Sequence, residues 1–234
     1  MYRLLLFFVL IFSISCGDKN TLIYEKIDIL KLDQILNDKD IIILDVRTLE
    51  EINSGYIPNS TFIDYYDENF ESKINLIDRS KKIYTLCKSG GRSVKAAEIL
   101  SQKGFQKVYN LDGGFMRWKA NNMPYDKNLV NNDSSTLELI SEHTLDSLIE
   151  NNINTLIYIY TKWCSPCKKM EPTIDKLVDN NSSLNVIKID LDANTYAQKR
   201  FDVKSLPTLV LYENNSVVWH KNGIIAYDDL ISFF

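Results

Sequence analysis

Four cysteines are the residues of this sequence with the clearest capacity for chemistry, and they stand in three contexts. Cys87 lies in "LCKSGGRSVKAAEIL", where a glycine-rich loop precedes an apolar helical pattern. Cys164 and Cys167 form the CxxC pair of "KWCSPCKKMEP", and Cys16 follows an apolar N-terminal run. Beyond Cys16, three thiols are too few for a four-ligand zinc site and do not make a structural disulfide framework. The pattern therefore favours one reactive thiol and one redox pair.

The loop after Cys87 could hold an anionic sulfur. Its two glycines allow successive N–H groups to turn inward, and a predicted helix N-terminus at Arg92 adds further donors. Donors that converge on a thiol lower its pKa, and the same donors would hold a persulfide. Lys88 and Arg92 add positive charge that suits an anionic donor such as thiosulfate. The predicted sulfur-binding loop is Lys88, Ser89, Gly90, Gly91, Arg92 and Ser93.

The CxxC pair is placed for reversible disulfide chemistry. Cys164 stands at the N-terminus of a predicted helix, where unpaired N–H groups and the helix dipole stabilise a thiolate. Cys167 lies one turn later, within reach of the first sulfur, and Pro166 suits the first turn of a helix. We expect an exposed Cys164, a buried Cys167 and a disulfide that forms and breaks between them.

The elements that must position these thiols indicate two α/β domains within 234 residues. In the first segment, "IIILDV", "KKIYTLC" and "QKVYNL" are apolar runs typical of buried strands, and helical patterns alternate with them. This alternation predicts a parallel sheet covered on both faces. Thr48 and Glu51 form a capping-box pattern that begins a helix.

The second segment predicts a strand over "TLIYIYT", directly before the CxxC pair, and a helix from about residue 165 to 179. Met170, Ile174, Leu177 and Val178 would form the buried face of that helix. "LNVIKIDL" predicts another strand, and "TLVLYENNSVVWH" predicts a hairpin with an Asn-Asn turn.

Three motifs of the first segment resemble, in order, those of the rhodanese family. They are "LDVRTLEEINSGYIPNSTFI" (44–63), the Cys87 loop and "VYNLDGGFMRW" (108–118). The six residues from Cys87 to Arg92 match the sulfur-transferring members, whereas related phosphatases have one residue more. The resemblance implies a persulfide at Cys87, and we interpret Asp45 and Arg47 as a supporting pair at a strand end. The alternative is a domain that keeps its loop only to dock partners.

The second segment resembles the thioredoxin family through "WCSPC", Pro172 and the "SLPT" loop at 205–208. The resemblance implies dithiol–disulfide exchange. It also implies a cis peptide bond at Pro207 and a backbone at Leu206 that is free to pair with a substrate strand. Lys188 would be a buried lysine near the site, and Trp163 a surface flap beside Cys164.

Two residues depart from the thioredoxin pattern. Tyr158 stands where many members have a buried acid, and Ser165 replaces the usual glycine. The Trp-Cys-x-Pro-Cys form favours a reductase, but these two departures leave an oxidase or an isomerase open at this point.

The N-terminus, "MYRLLLFFVLIFSISC", has an apolar run of nine residues, Leu4–Phe12. A bilayer span needs about 20 apolar residues, so the run has the length of a signal-peptide core. The stretch resembles a bacterial lipoprotein signal with Cys16 as the lipidated residue; the alternative is an ordinary secretory signal. The predicted organisation is a signal (1–16), a tether (17–27), a rhodanese-like domain (28–125), a linker (126–133) and a thioredoxin-like domain (134–234).

These observations predict an exported protein of the bacterial periplasm or cell envelope that contacts a membrane only through its lipid. We expect a thiol–disulfide oxidoreductase with a persulfide-forming domain, whose CxxC pair reduces that persulfide. The alternative function is a disulfide reductase with a non-catalytic docking domain. Expected partners are a sulfane-sulfur donor such as thiosulfate, disulfide-bearing proteins and an external electron donor. The net charge of −4 predicts that the protein does not bind nucleic acid. The presence of only two histidines argues against a metal site, and we expect no cofactor.

Overall fold

The computed structural model describes residues 24–127 and 139–234. The predicted signal, the lipidation site at Cys16, residues 17–23 of the predicted tether and most of the predicted linker lie outside the described residues. Within those two ranges, no helix is both long and apolar enough to cross a membrane.

The first domain alternates strands and helices around one parallel sheet. Its strands are β1 (Glu25–Asp28), β2 (Ile41–Asp45), β3 (Ser60–Phe62), β4 (Lys82–Leu86) and β5 (Val108–Asp112). A 3-10 helix spans Ile29–Ile35, and the α-helices are α1 (Leu49–Asn53), α2 (Phe70–Ile74), α3 (Gly91–Gln102) and α4 (Gly114–Ala120). The sheet order is β1-β5-β4-β2-β3, and all four pairings are parallel. The predicted parallel sheet is confirmed.

The register of this sheet brings the ends of three strands to one edge. Asp45, at the end of β2, lies opposite Phe62 of β3 and Leu86 of β4. Cys87 follows Leu86 directly, so its loop leaves the carboxyl edge of the sheet next to the end of β2. The capping box at Thr48 and Glu51 begins α1 at this same edge, as predicted.

Both faces of the sheet are packed, as the continuous apolar runs require. On one face, Ile42, Leu44 and Ile83 pack with α2 and α3, in the cluster that also contains Cys87. On the other face, alternate residues of the same strands pack against the 3-10 helix and against Trp118 of α4. Trp118 is completely buried, and its indole N–H donates to the carbonyl of Pro124.

The second domain has a mixed four-stranded sheet. Its helices are α5 (Glu142–Glu150), α6 (Ser165–Asn180), α7 (Tyr196–Arg200) and α8 (Tyr227–Ile231). Its strands are β6 (Asn154–Tyr160), β7 (Leu184–Asp190), β8 (Thr208–Glu213) and β9 (Ser216–Asn222), in the order β7-β6-β8-β9. The pair β6–β7 is parallel and the other two pairs are antiparallel. Asn214 and Asn215 form the predicted turn, both with positive φ.

Some features differ from the sequence prediction. The short elements β1, β3 and α2 were not predicted, because they carry neither a periodic pattern nor a capping signal. Residues 25–27 were assigned to the tether, but they belong to β1 and pair with β5, so the sheet of the first domain begins before residue 28. Val178 was predicted on the buried face of α6 but is 43% exposed. It lies beside the buried Leu177 and Ile174, at the margin of the face that the sheet covers.

Candidate active site

The Cys87 sulfur lies under its loop, surrounded by hydrogen-bond donors. The side chain is 1% exposed, and its Sγ accepts the N–H of Gly90 at 3.1 Å. Gly90 has φ +114°, a left-handed conformation that favours glycine and turns this N–H toward the sulfur. Burial opposes ionisation, but hydrogen bonds from the hydroxyl and N–H of Ser93 and the N–H groups of Gly90 and Ser89 outweigh it. Together they lower the pKa of Cys87.

The charged side chains of the loop are arranged differently from the sequence prediction. Arg92 donates from both terminal nitrogens to the carboxylate of Glu51, at 2.7 and 2.8 Å. Hydrogen bonding to Arg92 lowers the pKa of Glu51 to about 2. Arg92 is therefore engaged in an ion pair and does not extend toward a donor, while Lys88 is exposed at the surface of the loop.

Hydrogen bonds from the start of α4 hold the backbone of the Cys87 loop. The sequence analysis did not predict this contact. The N–H groups of Phe115 and Met116 donate to the carbonyls of Cys87 (2.8 Å) and Lys88 (3.0 Å). A Cβ on Gly114 would lie 2.6 Å from those two carbonyl oxygens, so only glycine allows this approach. The sequence feature that could have predicted this contact is the Gly-Gly pair of "LDGGF".

Asp45 and Arg47 form a buried ion pair at the end of β2. The Nε and Nη2 of Arg47 donate to the carboxylate of Asp45, and Nη2 also donates to the carbonyl of Gly55 at 3.0 Å. The guanidinium lies 4.1 Å from the ring centre of Phe115. Burial raises the pKa of Asp45, and the hydrogen bonds from Arg47 oppose that effect. The pair ties the end of β2 to the turn at Gly55 and to α4, which is a supporting position.

Cys164 and Cys167 form a disulfide at the start of α6. Cys164 is the N-cap, its Sγ accepts the N–H of Cys167 at 3.1 Å, and Pro166 follows in the first turn. Cys164 is only 2% exposed and Cys167 is 1% exposed. The prediction of an exposed Cys164 is wrong because the first domain covers this end of α6.

Four of the hydrogen bonds between described residues cross between the domains around the disulfide. On one side, the N–H of Phe62 donates to the carbonyl of Trp163 (3.3 Å), and the N–H of Ser165 donates to Oγ1 of Thr61 (3.3 Å). The hydroxyl of Ser165 donates to the carbonyl of Asn59 at 2.7 Å. These three bonds place the turn before α6 along the edge strand β3.

The fourth bond lies on the other side of the disulfide, at the loop before β8. The N–H of Leu206 donates to the carbonyl of Leu76, a residue of the first domain, at 2.9 Å. The Leu206–Pro207 peptide bond is cis, as the resemblance implies. The backbone position expected to pair with a substrate is thus paired with the protein's own chain.

Trp163 lies between the two domains. It packs against the cluster that contains Cys87 and against the cluster that contains Cys164 and Cys167. The prediction of a surface flap is therefore wrong, because the first domain covers the indole as it covers Cys164.

Two further residues of the thioredoxin resemblance are placed by the structure. Tyr158 is buried, its hydroxyl donates to the carbonyl of Cys167 at 2.9 Å, and burial raises its pKa. Lys188 is not buried as predicted: it is 43% exposed and pairs with Asp175 at 2.7 Å. The reason is that β7 is an edge strand. No group of side chains suited to a metal ion is found in residues 24–127 and 139–234.

Comparison with known proteins agrees with this geometry. The Rhodanese-like domain family matches residues 29–121, and the Thioredoxin family matches residues 136–234. Thioredoxin 2 of Plasmodium falciparum is 35% identical over 82 residues, which is 35% of this chain and 52% of that protein. Thioredoxin 2 of Plasmodium berghei is 30% identical over 46% of this chain and 71% of its own length. The putative sulfurtransferase YtwF of Bacillus subtilis is 33% identical over 39% of this chain and 86% of its own length.

A parallel sheet with a thiol at its carboxyl edge, followed by a mixed sheet with a CxxC helix start, defines a two-domain thiol protein. The chain belongs to the thioredoxin family through residues 136–234 and carries a rhodanese-like domain at residues 29–121. The matched ranges fall within the domains predicted at 28–125 and 134–234. Together with the Cys164–Cys167 pair, these domains support a thiol redox role and, in general terms, enzyme activity of the redox and sulfurtransferase type.

Proposed function

We propose that this protein is a thiol–disulfide oxidoreductase whose rhodanese-like domain forms a persulfide that the CxxC dithiol reduces. The Cys87 thiolate attacks the outer sulfur of a sulfane donor such as thiosulfate. Sulfite leaves, the outer sulfur stays on Cys87, and Cys87 becomes a persulfide. The Cys164 thiolate then takes the outer sulfur and releases the Cys87 thiolate. Cys167 attacks the inner sulfur of the Cys164 persulfide, expels hydrosulfide and forms the disulfide. An external dithiol supplies the two electrons that restore the pair.

The observation that carries this proposal is the position of Trp163. Trp163, the residue next to Cys164, packs against the apolar cluster of the rhodanese-like domain to which Cys87 also belongs, so the domain that carries Cys87 lies against the CxxC site. The lowered pKa of Cys87 supports its part in the reaction, because a thiolate is the nucleophile. The linker between the domains keeps their effective concentration high after they separate.

Peptide mass mapping tests the first step. The protein, with its Cys164–Cys167 disulfide intact so that the pair cannot remove the sulfur, is treated with thiosulfate, alkylated and digested with trypsin. The peptide of residues 83–88, which contains Cys87, is then weighed. We expect a gain of one sulfur atom on this peptide. Cys87→Ser is the control that cannot gain it. No gain on the wild-type peptide would contradict persulfide formation.

Release of sulfide tests the second step. The fully reduced protein, freed of reductant and treated with thiosulfate, should release one sulfide for each disulfide that it forms. Cys167→Ala should retain the sulfur on Cys87 or Cys164 and release none, because the resolving thiol is absent. Equal sulfide release by Cys167→Ala and the wild type would show that the pair is not the reductant.

The alternative is a disulfide reductase whose rhodanese-like domain only docks partners. The contact of Leu76 with Leu206 favours this alternative, since it shows one surface of the domain placed against the thioredoxin site. It predicts that Cys87→Ser leaves the reduction of an external protein disulfide unchanged and that thiosulfate adds no sulfur to Cys87.

Export and lipid anchoring form a separate part of the proposal, supported by the N-terminal sequence "MYRLLLFFVLIFSISC". In bacterial cells, we expect the protein in the membrane fraction with lipid attached at Cys16. Cys16→Ser should lose the lipid and move to the soluble fraction of the envelope. A wild-type protein that is recovered without lipid would contradict the anchor.

A further inference from the structure

We propose that the Leu76 segment, Asn75–Asp78 of the rhodanese-like domain, occupies the substrate-binding groove of the thioredoxin domain as an intramolecular competitor. An external disulfide substrate must displace this segment before it reaches Cys164. The inference rests on the dithiol–disulfide activity proposed above and adds a control of access to the same site.

The backbone contact is the first observation. The loop before β8 is held by its own domain: the side-chain oxygen of Asn222 accepts the N–H groups of Lys204 and Ser205 and the hydroxyl of Thr208. The N–H of Leu206 points away from this frame and donates to the carbonyl of Leu76 at 2.9 Å. A peptide that paired with this loop through its backbone would need the same N–H.

The side chain of Leu76 is the second observation. It is 7% exposed, and it packs within the cluster of the thioredoxin domain that includes Cys164, Cys167 and Leu206. The neighbouring Ile74 and Ile77 pack instead within their own domain. Leu76 thus buries its apolar surface in the partner domain, beside the disulfide.

The space that remains is the third observation. The void between Cys164, Trp163 and Pro166 on one side and Ile42 and Leu76 on the other has a volume of about 10 Å³. This is about the smallest volume that holds one water molecule and far less than a peptide needs. A cavity of about 490 Å³ opens beside Pro166 and Leu206, but neither cysteine lines it. With the three bonds along β3 on the far side, the disulfide is enclosed, so exchange with another protein requires the two domains to separate.

The test measures how fast dithiothreitol reduces the Cys164–Cys167 disulfide in the full chain, in mild detergent. All variants carry Cys87→Ser, so persulfide chemistry does not enter. The reaction is quenched with acid, alkylated and followed by the mass of the CxxC peptide. Leu76→Ala removes the apolar contact and should accelerate reduction by about tenfold. Thr61→Val, on the opposite side of the disulfide, leaves the N–H of Ser165 without its acceptor and should accelerate it by about threefold or more.

The matched control is Leu36→Ala, which loses the same atoms from the same domain. Leu36 packs against the opposite face of the sheet, in a cluster without thioredoxin-domain residues. Dithiothreitol should therefore reduce the disulfide of Leu36→Ala at the parent rate. Circular dichroism verifies that each variant is folded. If Leu76→Ala does not fold, the comparison of Thr61→Val with the parent provides the test.

Two results would overturn the inference: rates of Leu76→Ala and Thr61→Val within twofold of the parent, or equal acceleration by Leu36→Ala. A disulfide that no variant allows dithiothreitol to reduce would instead refute the exchange activity itself. The two failures are therefore distinguishable.

Discussion

Replacing Ser93 by alanine should raise the pKa of Cys87 and lower its reactivity near neutral pH. Among the hydrogen bonds that lower this pKa, the one from the Ser93 hydroxyl is the largest. The same hydroxyl donates to the carbonyl of Gly90 at 3.0 Å, and its single proton serves one of these two acceptors at a time. A hydrogen bond to a charged group contributes about 1.5–3 kcal/mol, and about 1.4 kcal/mol corresponds to tenfold in an equilibrium. The equilibrium between thiol and thiolate at Cys87 should therefore shift toward the thiol by about tenfold or more.

The assay is the rate at which iodoacetamide modifies Cys87 as a function of pH, with the CxxC pair oxidised. The peptide Ile83–Lys88 reports Cys87 alone and does not contain the substitution. In Ser93→Ala the profile should move to higher pH and reach the wild-type rate where both thiols are ionised. Ser101→Ala is the control, because that hydroxyl lies in the same helix and donates to the carbonyl of Ala97. An unchanged midpoint in Ser93→Ala would refute the account of how this thiol is activated.

Three further predictions concern the residues that hold the two sites. Glu51, whose pKa is lowered to about 2 by Arg92, stabilises the fold fully above its ordinary pKa near 4.5 and loses this contribution as pH falls toward 2. In urea unfolding, the decrease in stability from pH 5 to pH 2.5 should be smaller in Glu51→Gln than in the wild type, by about 2–3 kcal/mol, because other carboxylates titrate equally in both proteins. Tyr158→Phe should lower the free energy of unfolding by about 1 kcal/mol and leave the pH dependence of disulfide reduction unchanged, because the phenol only donates to a carbonyl; a shifted pH profile would contradict this. Asp45→Asn leaves the guanidinium of Arg47 buried without a counter-charge, and urea unfolding should show a loss of about 3–5 kcal/mol, whereas a loss below 1 kcal/mol would refute the structural reading of the pair.

Much of the fold could be predicted because its long strands and helices carry their own patterns. The continuous apolar run at Ile41–Leu44 indicated a strand covered on both faces, and both faces are packed. The Asn-Asn turn and the capping box at Thr48 were predicted because neighbouring residues alone determine them. Short elements such as β3 escaped because their strand character comes from pairing with β2.

Side-chain environments that depend on distant segments were predicted poorly. Lys188 was assigned to a buried place by resemblance, but the sheet ends at its strand and leaves the ammonium in solvent beside Asp175. Arg92 was expected to serve an anionic donor, but Glu51, which lies 41 residues earlier in the chain, binds its guanidinium. Neither sequence pattern contains information about which other element lies alongside.

The amino-acid sequence by itself determined which sulfurs are equipped for chemistry. The donors around Cys87 and Cys164 come from residues within six positions of each cysteine, so local spacing suffices to place them. Only the tertiary structure decided which segments of the chain, and therefore which substrates, can contact those sulfurs. Leu76 and Leu206 meet across two domains, and the cover over Cys164 follows from surfaces that fit after each domain has folded. Such contacts join segments far apart in the chain, and no local pattern encodes them.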